Sequence, residues 1–372
     1  MLHCGVLVND LPTPQVLVER DRLLSNIDRI QRLADGAGLA LRPHAKTHKS
    51  PVIARWQLDR GATGICCAKL GEAEVFANAG IRDIRLPYPI NPANATRLLA
   101  LMDGTTISIV VDHLAVARGW SEVMERAHRS LDVLVKVDVG FHRCGIDPEA
   151  SPLDFIRQVA SMRGLRVRGL LSHAGHGYRA ASATELAAIA RREAEILGTL
   201  RARAAAAGVR LDEISVGATP TLRFSAGEPG VTELRPGNYV YFDRTQVALG
   251  SAAFGDCALT VLATVVSRPA ADRLILDCGS KTLSSDLSPV PGYGGMLAHD
   301  GSTIDEALTI ERLSEEHATV HVRGHSTLEP GDRVRVLPNH ACVVTNLADE
   351  IQLVEGDRVT ATLAVAARGR TS

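Results

Sequence analysis

The stretch VLVKVDVGFHRCGIDPEASPLDFIRQVASMRGLRVRGLL, residues Val133 to Leu171, decides the fold. It opens on an apolar, β-branched run, Val133–Val137, and closes on another, Val167–Leu171. Between them Pro152–Ala160 places its apolar residues at helical spacing. A strand, a helix and a strand, in that order, mean two parallel strands joined by a crossover helix. The same unit repeats outward in both directions. Further strands are expected at Val16–Glu19, Leu39–Arg42, Gly64–Cys67, Ile84–Leu86, Ile107–Val111 and Ile214–Val216. Helices are expected at Asp21–Ala34, Leu70–Ala79, Pro92–Leu99, His113–Arg126 and Ala181–Ala207. So many units favour a closed (β/α)8 barrel of the TIM type over an open sheet.

After about residue 245 the pattern changes. Ala258–Val266, Arg273–Leu276, Ala318–Val322, Arg333–Leu337, Glu350–Leu353 and Arg358–Ala367 read as strands joined by Gly, Pro and Asp turns. Asp286–Ala298, which contains SPVPGYGG, reads as a loop. The expected organisation is a barrel over residues 12–245 and a mostly antiparallel β-domain over 246–372, with residues 1–11 packed on the β-domain.

The 372 residues include 41 basic and 42 acidic side chains, a net charge of −1, and 45% are hydrophobic. That balance is globular and gives no general pull toward nucleic acid or an anionic membrane. No run of about 18 apolar residues suggests a membrane span, and the N-terminus does not read as a secretory signal. Seven scattered cysteines without a CxxC pair suggest reduced thiols and a cytoplasmic protein.

Several polar clusters follow strand-like runs, which is the functional face of a barrel. Arg42-Pro43-His44-Ala45-Lys46-Thr47-His48-Lys49 is the densest. If the strand runs through it, His44, Lys46 and His48 share one inward face, and Lys46 is a candidate amine nucleophile for a carbonyl. The alternative is a basic surface loop. Arg143, in DVGFHRCG, suits an anionic oxygen or a salt bridge to Asp138. His173 and His176, in SHAGHGY, suit acid–base work or a structural role. Gly217, Thr219 and Thr221, in GATPT, form a weak phosphate-binding pattern. His340 and Cys342, in PNHAC, stand two apart and can chelate one ion from one strand face, or be inert core residues. Glu315-Glu316-His317 is a further polar cluster, left as support for a ligand or the lining of a cleft.

RPHAKTHK (Arg42–Lys49), DVGFHRCG (Asp138–Gly145), GATPT, ELRPGNYVYFD (Glu233–Asp243) and PNHAC occur in this order over nearly the whole chain. Together they resemble the D-threonine aldolase and D-serine dehydratase family, fold-type III pyridoxal-phosphate enzymes related to alanine racemase. The resemblance implies a barrel followed by a β-domain, a homodimer with active sites near the subunit interface, and a small amino acid as substrate. It implies that Lys46 holds pyridoxal 5'-phosphate covalently, with His44 nearby, and that Arg143 lies near the phenolic oxygen. Gly217, Thr219 and Thr221 would bind the phosphate, and Tyr239 or Tyr241 would lie near the cofactor. His340 and Cys342 match the pair that binds a divalent metal, zinc, manganese or magnesium. His176 matches the proposed base and His173 an accompanying histidine.

The activity so implied is a lyase acting on D-3-hydroxy amino acids. In the aldolase reading, a base such as His176 takes the hydroxyl proton, and glycine and an aldehyde leave. In the dehydratase reading, Lys46 takes the Cα proton, the hydroxyl departs, and a 2-oxo acid and ammonia result from D-serine or D-3-hydroxyaspartate. Bacterial aldolases of the family pair the metal histidine with aspartate, whereas animal-type dehydratases pair it with cysteine, as here. Racemisation and non-catalytic cofactor carriage are the remaining readings.

Overall fold

The computed structural model describes residues 5–298 and 301–372. Within them the chain separates into two units, each built on its own sheet. One comprises residues 30–46, 53–237 and 370–372; the other comprises residues 1–29, 47–52 and 238–369.

The first strand, β1 (Gln15–Glu19), lies outside the parallel sheet. That sheet contains β2 (Ala40–Leu41), β3 (Ile65–Cys66), β4 (Asp83–Pro89), β5 (Thr106–Val111), β6 (Leu131–Lys136), β7 (Leu165–Leu171), β8 (Glu213–Val216) and β9 (Glu233–Leu234). Its order is β2-β9-β8-β7-β6-β5-β4-β3, every pairing is parallel, and a parallel bridge between His44 and Cys66 closes the ring. This is the expected (β/α)8 barrel. Residues 107–111 of β5 and 133–136 of β6 are buried without alternation, as in strands covered on both faces. Gly169 of β7 is required by its neighbour, since a Cβ there would lie 2.0 Å from Glu213 O. Inside the barrel, Arg42 pairs with Glu233 and Asp83, and Arg85 with Glu233 and Glu213. Glu213 and Glu233 head their strands, so this network fills the N-terminal end. The C-terminal end is left for function.

The second sheet adds β10 (Leu259–Ala270), β11 (Arg273–Leu276), β12 (Gly295–Leu297), β13 (Ile304–Leu313), β14 (Ala318–Val322), β15 (Arg333–Leu337), β16 (Glu350–Glu355) and β17 (Arg358–Ala364). Its order is β11-β14-β13-β12-β15-β10-β1-β16-β17, and a β10–β11 pairing closes six of its strands into an antiparallel ring. Only β1 and β16 pair in parallel.

The strand count of the barrel agrees with the sequence reading, but one member differs. Val16–Glu19 was expected in the barrel, whereas β1 pairs with β10 and β16. Its place is taken by Glu233–Leu234, a two-residue strand too short to show periodicity. The units are also less contiguous than a division at residue 245. Leu11 and Leu17, with Val8, bury against Leu262, Val354 and Val359, and Gly5 N donates to Val359 O. Residues 1–4 of the N-terminal segment lie outside the described residues. Asp286–Ala298 is not wholly a loop, because β12 occupies its end and pairs with β13 and β15.

Candidate active site

Within the barrel, β2 does not run through the RPHAKTHK cluster. Pro43 has no N–H to donate, and beyond the His44 bridge the chain enters a turn over residues 45–48. The expected single face for His44, Lys46 and His48 is therefore not formed. His44 N donates to Pro236 O and Ala45 N to Cys66 O, which fixes the turn to the barrel wall. Lys46 is exposed on that turn, at the C-terminal side of β2, and its N–H donates to His44 Nδ1 at 3.4 Å.

His173 stands at the C-terminal side of β7. Its Nδ1 lies 2.5 Å from Gly217 O. A carbonyl only accepts, so Nδ1 carries the proton and Nε2 keeps its lone pair. Burial, followed by the positive charges of Lys46 and Lys136, holds this imidazole well below its ordinary value; Arg143 adds to the effect. One neutral histidine thus sits in the field of Lys46 and Arg143, with Lys136 adding to it in its protonated form. Phe141 meets it edge-to-face at 5.5 Å, and Arg143 lies over the same Phe141 ring at 5.0 Å. Asp138 does not form the salt bridge considered for Arg143: its oxygens accept from Gly140 N, His142 N and His142 Nδ1. His176 lies farther along the loop, in the field of Asp138 and His142, and burial also lowers its imidazole. Its Nδ1 is buried without a hydrogen-bond partner.

Gly217 is used by packing as well as by any ligand, since a Cβ there would come 2.8 Å from Arg235 O. Thr219 Oγ1 is buried with no partner, whereas Thr221 Oγ1 donates to Ala218 O at 3.4 Å. An unpartnered hydroxyl, an exposed amine and a cluster of cations fit an anionic carbonyl cofactor.

Lys136, at the end of β6, was not singled out from sequence. It is 2% exposed, and burial, reinforced by Arg235, lowers its ammonium to about 7. Glu193 faces the same group; burial raises its carboxyl, although Ser172 Oγ donates to it at 2.5 Å. The only sequence signal was the scarcity of lysine, five in the chain.

In the β-unit, His340 and Cys342 do not share a strand face. β15 ends at Leu337, His340 precedes a helix over Ala341–Leu347, and Cys342 lies in its first turn. The strand-to-helix junction brings the two side chains together. His340 Nδ1 lies 2.5 Å from Asp286 Oδ2. Thr47 Oγ1 is 3.1 Å from Cys342 Sγ, and Asn238 Nδ2 donates to the same sulfur at 3.7 Å. Asp243 supports the junction from below, accepting from Ala341 N, Gln246 N and Asn238 Nδ2. Burial would lower the His340 imidazole, but Cys342, then Asp243 and Asp286, outweigh it and raise it to about 10. Negative groups that hold a proton this firmly also suit a cation. Among the described residues no group of three or more His, Cys, Asp or Glu side chains is assembled to hold a metal. The junction offers two oriented ligands, a set that fits an open centre.

Tyr239 and Tyr241 are fully buried in the β-unit, where burial and Cys342 push the Tyr241 hydroxyl up. Glu315 and Glu316 each pair with Lys281 at 2.7 Å on the surface, a role apart from ligand support. Among the described residues no helix is long and apolar enough to cross a membrane.

Comparison with known proteins agrees with this architecture. The family described as "Alanine racemase, N-terminal domain" matches residues 18–245, and the "Putative serine dehydratase domain" matches residues 258–354. A D-threonine aldolase of Arthrobacter sp. is 34% identical over 362 residues, covering 96% of this chain and 93% of the relative. A D-threo-3-hydroxyaspartate dehydratase of Delftia sp. is 34% identical over 351 residues, covering 89% and 91%. The solved structure of the Delftia dehydratase matches with a TM-score of 0.91 and 31% identity, over 96% of this chain and 98% of that one. The crystal structure of a D-threonine aldolase from Filomicrobium marinum matches with a TM-score of 0.90 and 28% identity, over 99% of each. Also similar are two variants of a D-threo-3-hydroxyaspartate dehydratase. One has a histidine replaced by alanine; the other has a cysteine two positions later replaced and is in the metal-free form. The chain belongs to the family that carries the alanine racemase N-terminal domain.

Proposed function

We propose that this protein is a pyridoxal-phosphate- and divalent-metal-dependent lyase that acts on D-3-hydroxy amino acids, cleaving them to glycine and an aldehyde. The observation that carries the reading is the surroundings of His173: the exposed amine of Lys46, the Arg143 guanidinium, the buried Lys136 and an imidazole whose Nδ1–H is committed to Gly217 O belong to one end of one barrel.

Lys46 would hold the cofactor through Nζ, with Thr219 Oγ1, Gly217 and Thr221 toward its phosphate and Arg143 toward its phenolic oxygen. His340 and Cys342 would hold the metal, and a thiolate with an imidazole favours zinc over manganese or magnesium. When bound, the cofactor supplies an electron sink at Cα and the metal polarises the β-hydroxyl. His173 keeps Nε2 unprotonated because Nδ1–H is committed to Gly217 O, so Nε2 accepts the β-hydroxyl proton as the Cα–Cβ bond breaks. Nε2 then gives this proton to Cα, which completes glycine, and the aldehyde leaves. We assign this role to His173 in preference to His176, whose nearest ionisable neighbours are Asp138, His142 and Glu185.

A second reading is favoured by the metal pair. The metal-free cysteine variant of a D-threo-3-hydroxyaspartate dehydratase and its histidine counterpart differ at positions two apart, the spacing of His340 and Cys342. In that reading Lys46 Nζ takes the Cα proton, the hydroxyl leaves as water, and the released enamine takes up a water molecule to give a 2-oxo acid and ammonia. The resemblance also implies a homodimer in a reducing cytoplasm. None of the six described cysteines forms a disulfide, which suits that compartment, and a monomer mass in light scattering would remove the dimer.

Absorbance and turnover of variants test the residue assignments. Lys46→Ala should lose the visible band of the bound cofactor; a band equal to the parent's would refute Lys46. His173→Asn should lower kcat by about 10²- to 10⁴-fold, with a smaller loss for His176→Asn. The reverse order would return the base to His176.

A further inference from the structure

We propose that Asp286 is the positioning residue of the metal centre, holding the His340 ring so that Nε2 is the nitrogen presented to the cation. The inference rests on the reading of His340 and Cys342 as metal ligands. Three features of the β-unit carry it.

The first is the contact itself, Asp286 Oδ2 to His340 Nδ1 at 2.5 Å. A carboxylate only accepts, so Nδ1 donates to it and Nε2 is the nitrogen left to face a cation, which would displace any proton held there. A metal-bound histidine needs this arrangement, because its second nitrogen must be held if the ring is not to swing.

The second is how Asp286 is brought there. It lies 54 residues before His340 in sequence, in the segment SDLSPVPGYGG. Asn339, the neighbour of His340, donates from Nδ2 to Asp286 O at 3.0 Å and to Gly292 O at 2.8 Å. One side chain thus staples both ends of the loop to the junction that carries the ligands. Arg244 adds a bond to Pro291 O at 2.8 Å. The proline- and glycine-rich loop has a definite task in this account: it delivers a carboxylate to the ring.

The third is the division of labour between the two carboxylates near His340. Asp243 is 1% exposed, and both its oxygens accept from backbone or amide N–H groups. It is committed to building the junction. Asp286 is exposed, and its Oδ2 faces the imidazole. On the other ligand, Thr47 Oγ1 and Asn238 Nδ2 hold the Cys342 sulfur. Each ligand therefore has its own support, and Asp286 is the one that serves His340.

Chelator competition with the holoenzyme tests the proposal, with zinc as titrant and cobalt(II) as a spectroscopic probe. Asp286→Ala should raise the Kd for zinc by about 10- to 100-fold and shift the cobalt d–d bands, while the visible band of pyridoxal phosphate stays at the parent's intensity. Asp286→Asn, whose amide oxygen still accepts from Nδ1, should recover part of the affinity. Parental zinc affinity and cobalt spectrum in Asp286→Ala would overturn the proposal. So would an Asp286→Asn no better than the alanine variant. His340→Ala separates the two levels of inference. If the parent binds no stoichiometric metal, or keeps it without His340, the reading of the ligands fails and the proposal with it. If His340→Ala loses the metal and Asp286→Ala does not, only the role of Asp286 fails.

Discussion

Lys136 shows how one side chain ties stability to the site. A folded protein that buries this ammonium disfavours its charged form, lowering it from its ordinary 10.5 to about 7. The unfolded chain keeps its proton up to about pH 10.5. Between these values the unfolded state binds more protons, so stability rises with pH across that window. Below about pH 7 both states are protonated and the full cost is present, on the order of 5 kcal/mol from the shift. Lys136→Met should therefore raise the denaturant midpoint near pH 6, and the advantage should shrink as pH climbs toward 10. Equal midpoints at pH 6, or an advantage that grows with pH, would contradict this. A cost of this kind at the C-terminal end of a barrel strand is a mark of a functional site. His173 has the same character by a different route, since its neutral form is fixed by one carbonyl and the field of Lys46 and Arg143.

The elements show what a sequence can and cannot disclose. Arg273–Leu276, Ala318–Val322 and Arg333–Leu337 were legible to the residue, because each alternates between buried and open faces and ends in a turn. The helices on the barrel were legible from spacing and caps: Ser182 accepts from Glu185 N at 3.1 Å at the start of Ala183–Ala206, and His113 caps Leu114–Arg126. Val16–Glu19 was read as a strand but given to the wrong sheet. Its pattern is that of any doubly covered strand, and only its distant partners in β10 and β16 reveal where it belongs. The Glu233–Leu234 strand is invisible for the opposite reason, since two residues carry no period. Helix Pro51–Asp59 was missed because it follows a basic cluster read only for chemistry. The candidate site was legible as a set of residues but not as geometry. Backbone pairing continues only to Ala45 before the chain turns, so Lys46 is presented by a turn. His340 and Cys342 meet across a strand-to-helix junction, and Asp286 and Lys136 had no motif to announce them.

At the scale of the molecule, the chain has two units, each built on its own sheet. The barrel offers an amine among cations, and the β-unit offers an imidazole and a thiol, each held by hydrogen bonds. The near-neutral charge of the chain leaves recognition to these local groups. Relatives that share about a third of the sequence over nearly the full length include both an aldolase and a dehydratase, so the shared architecture supports either outcome. On the proposed reading the difference lies in which proton is taken, the hydroxyl proton by His173 or the Cα proton by Lys46. Product analysis reads that choice directly. The purified protein, loaded with pyridoxal phosphate and zinc or manganese, is given D-threonine, D-serine or D-threo-3-hydroxyaspartate. The account predicts glycine and acetaldehyde from D-threonine, abolished by chelation while the cofactor band remains. A 2-oxo acid and ammonia in their place would contradict aldol cleavage and establish the dehydratase reading, and turnover of none of these substrates would contradict the lyase assignment itself.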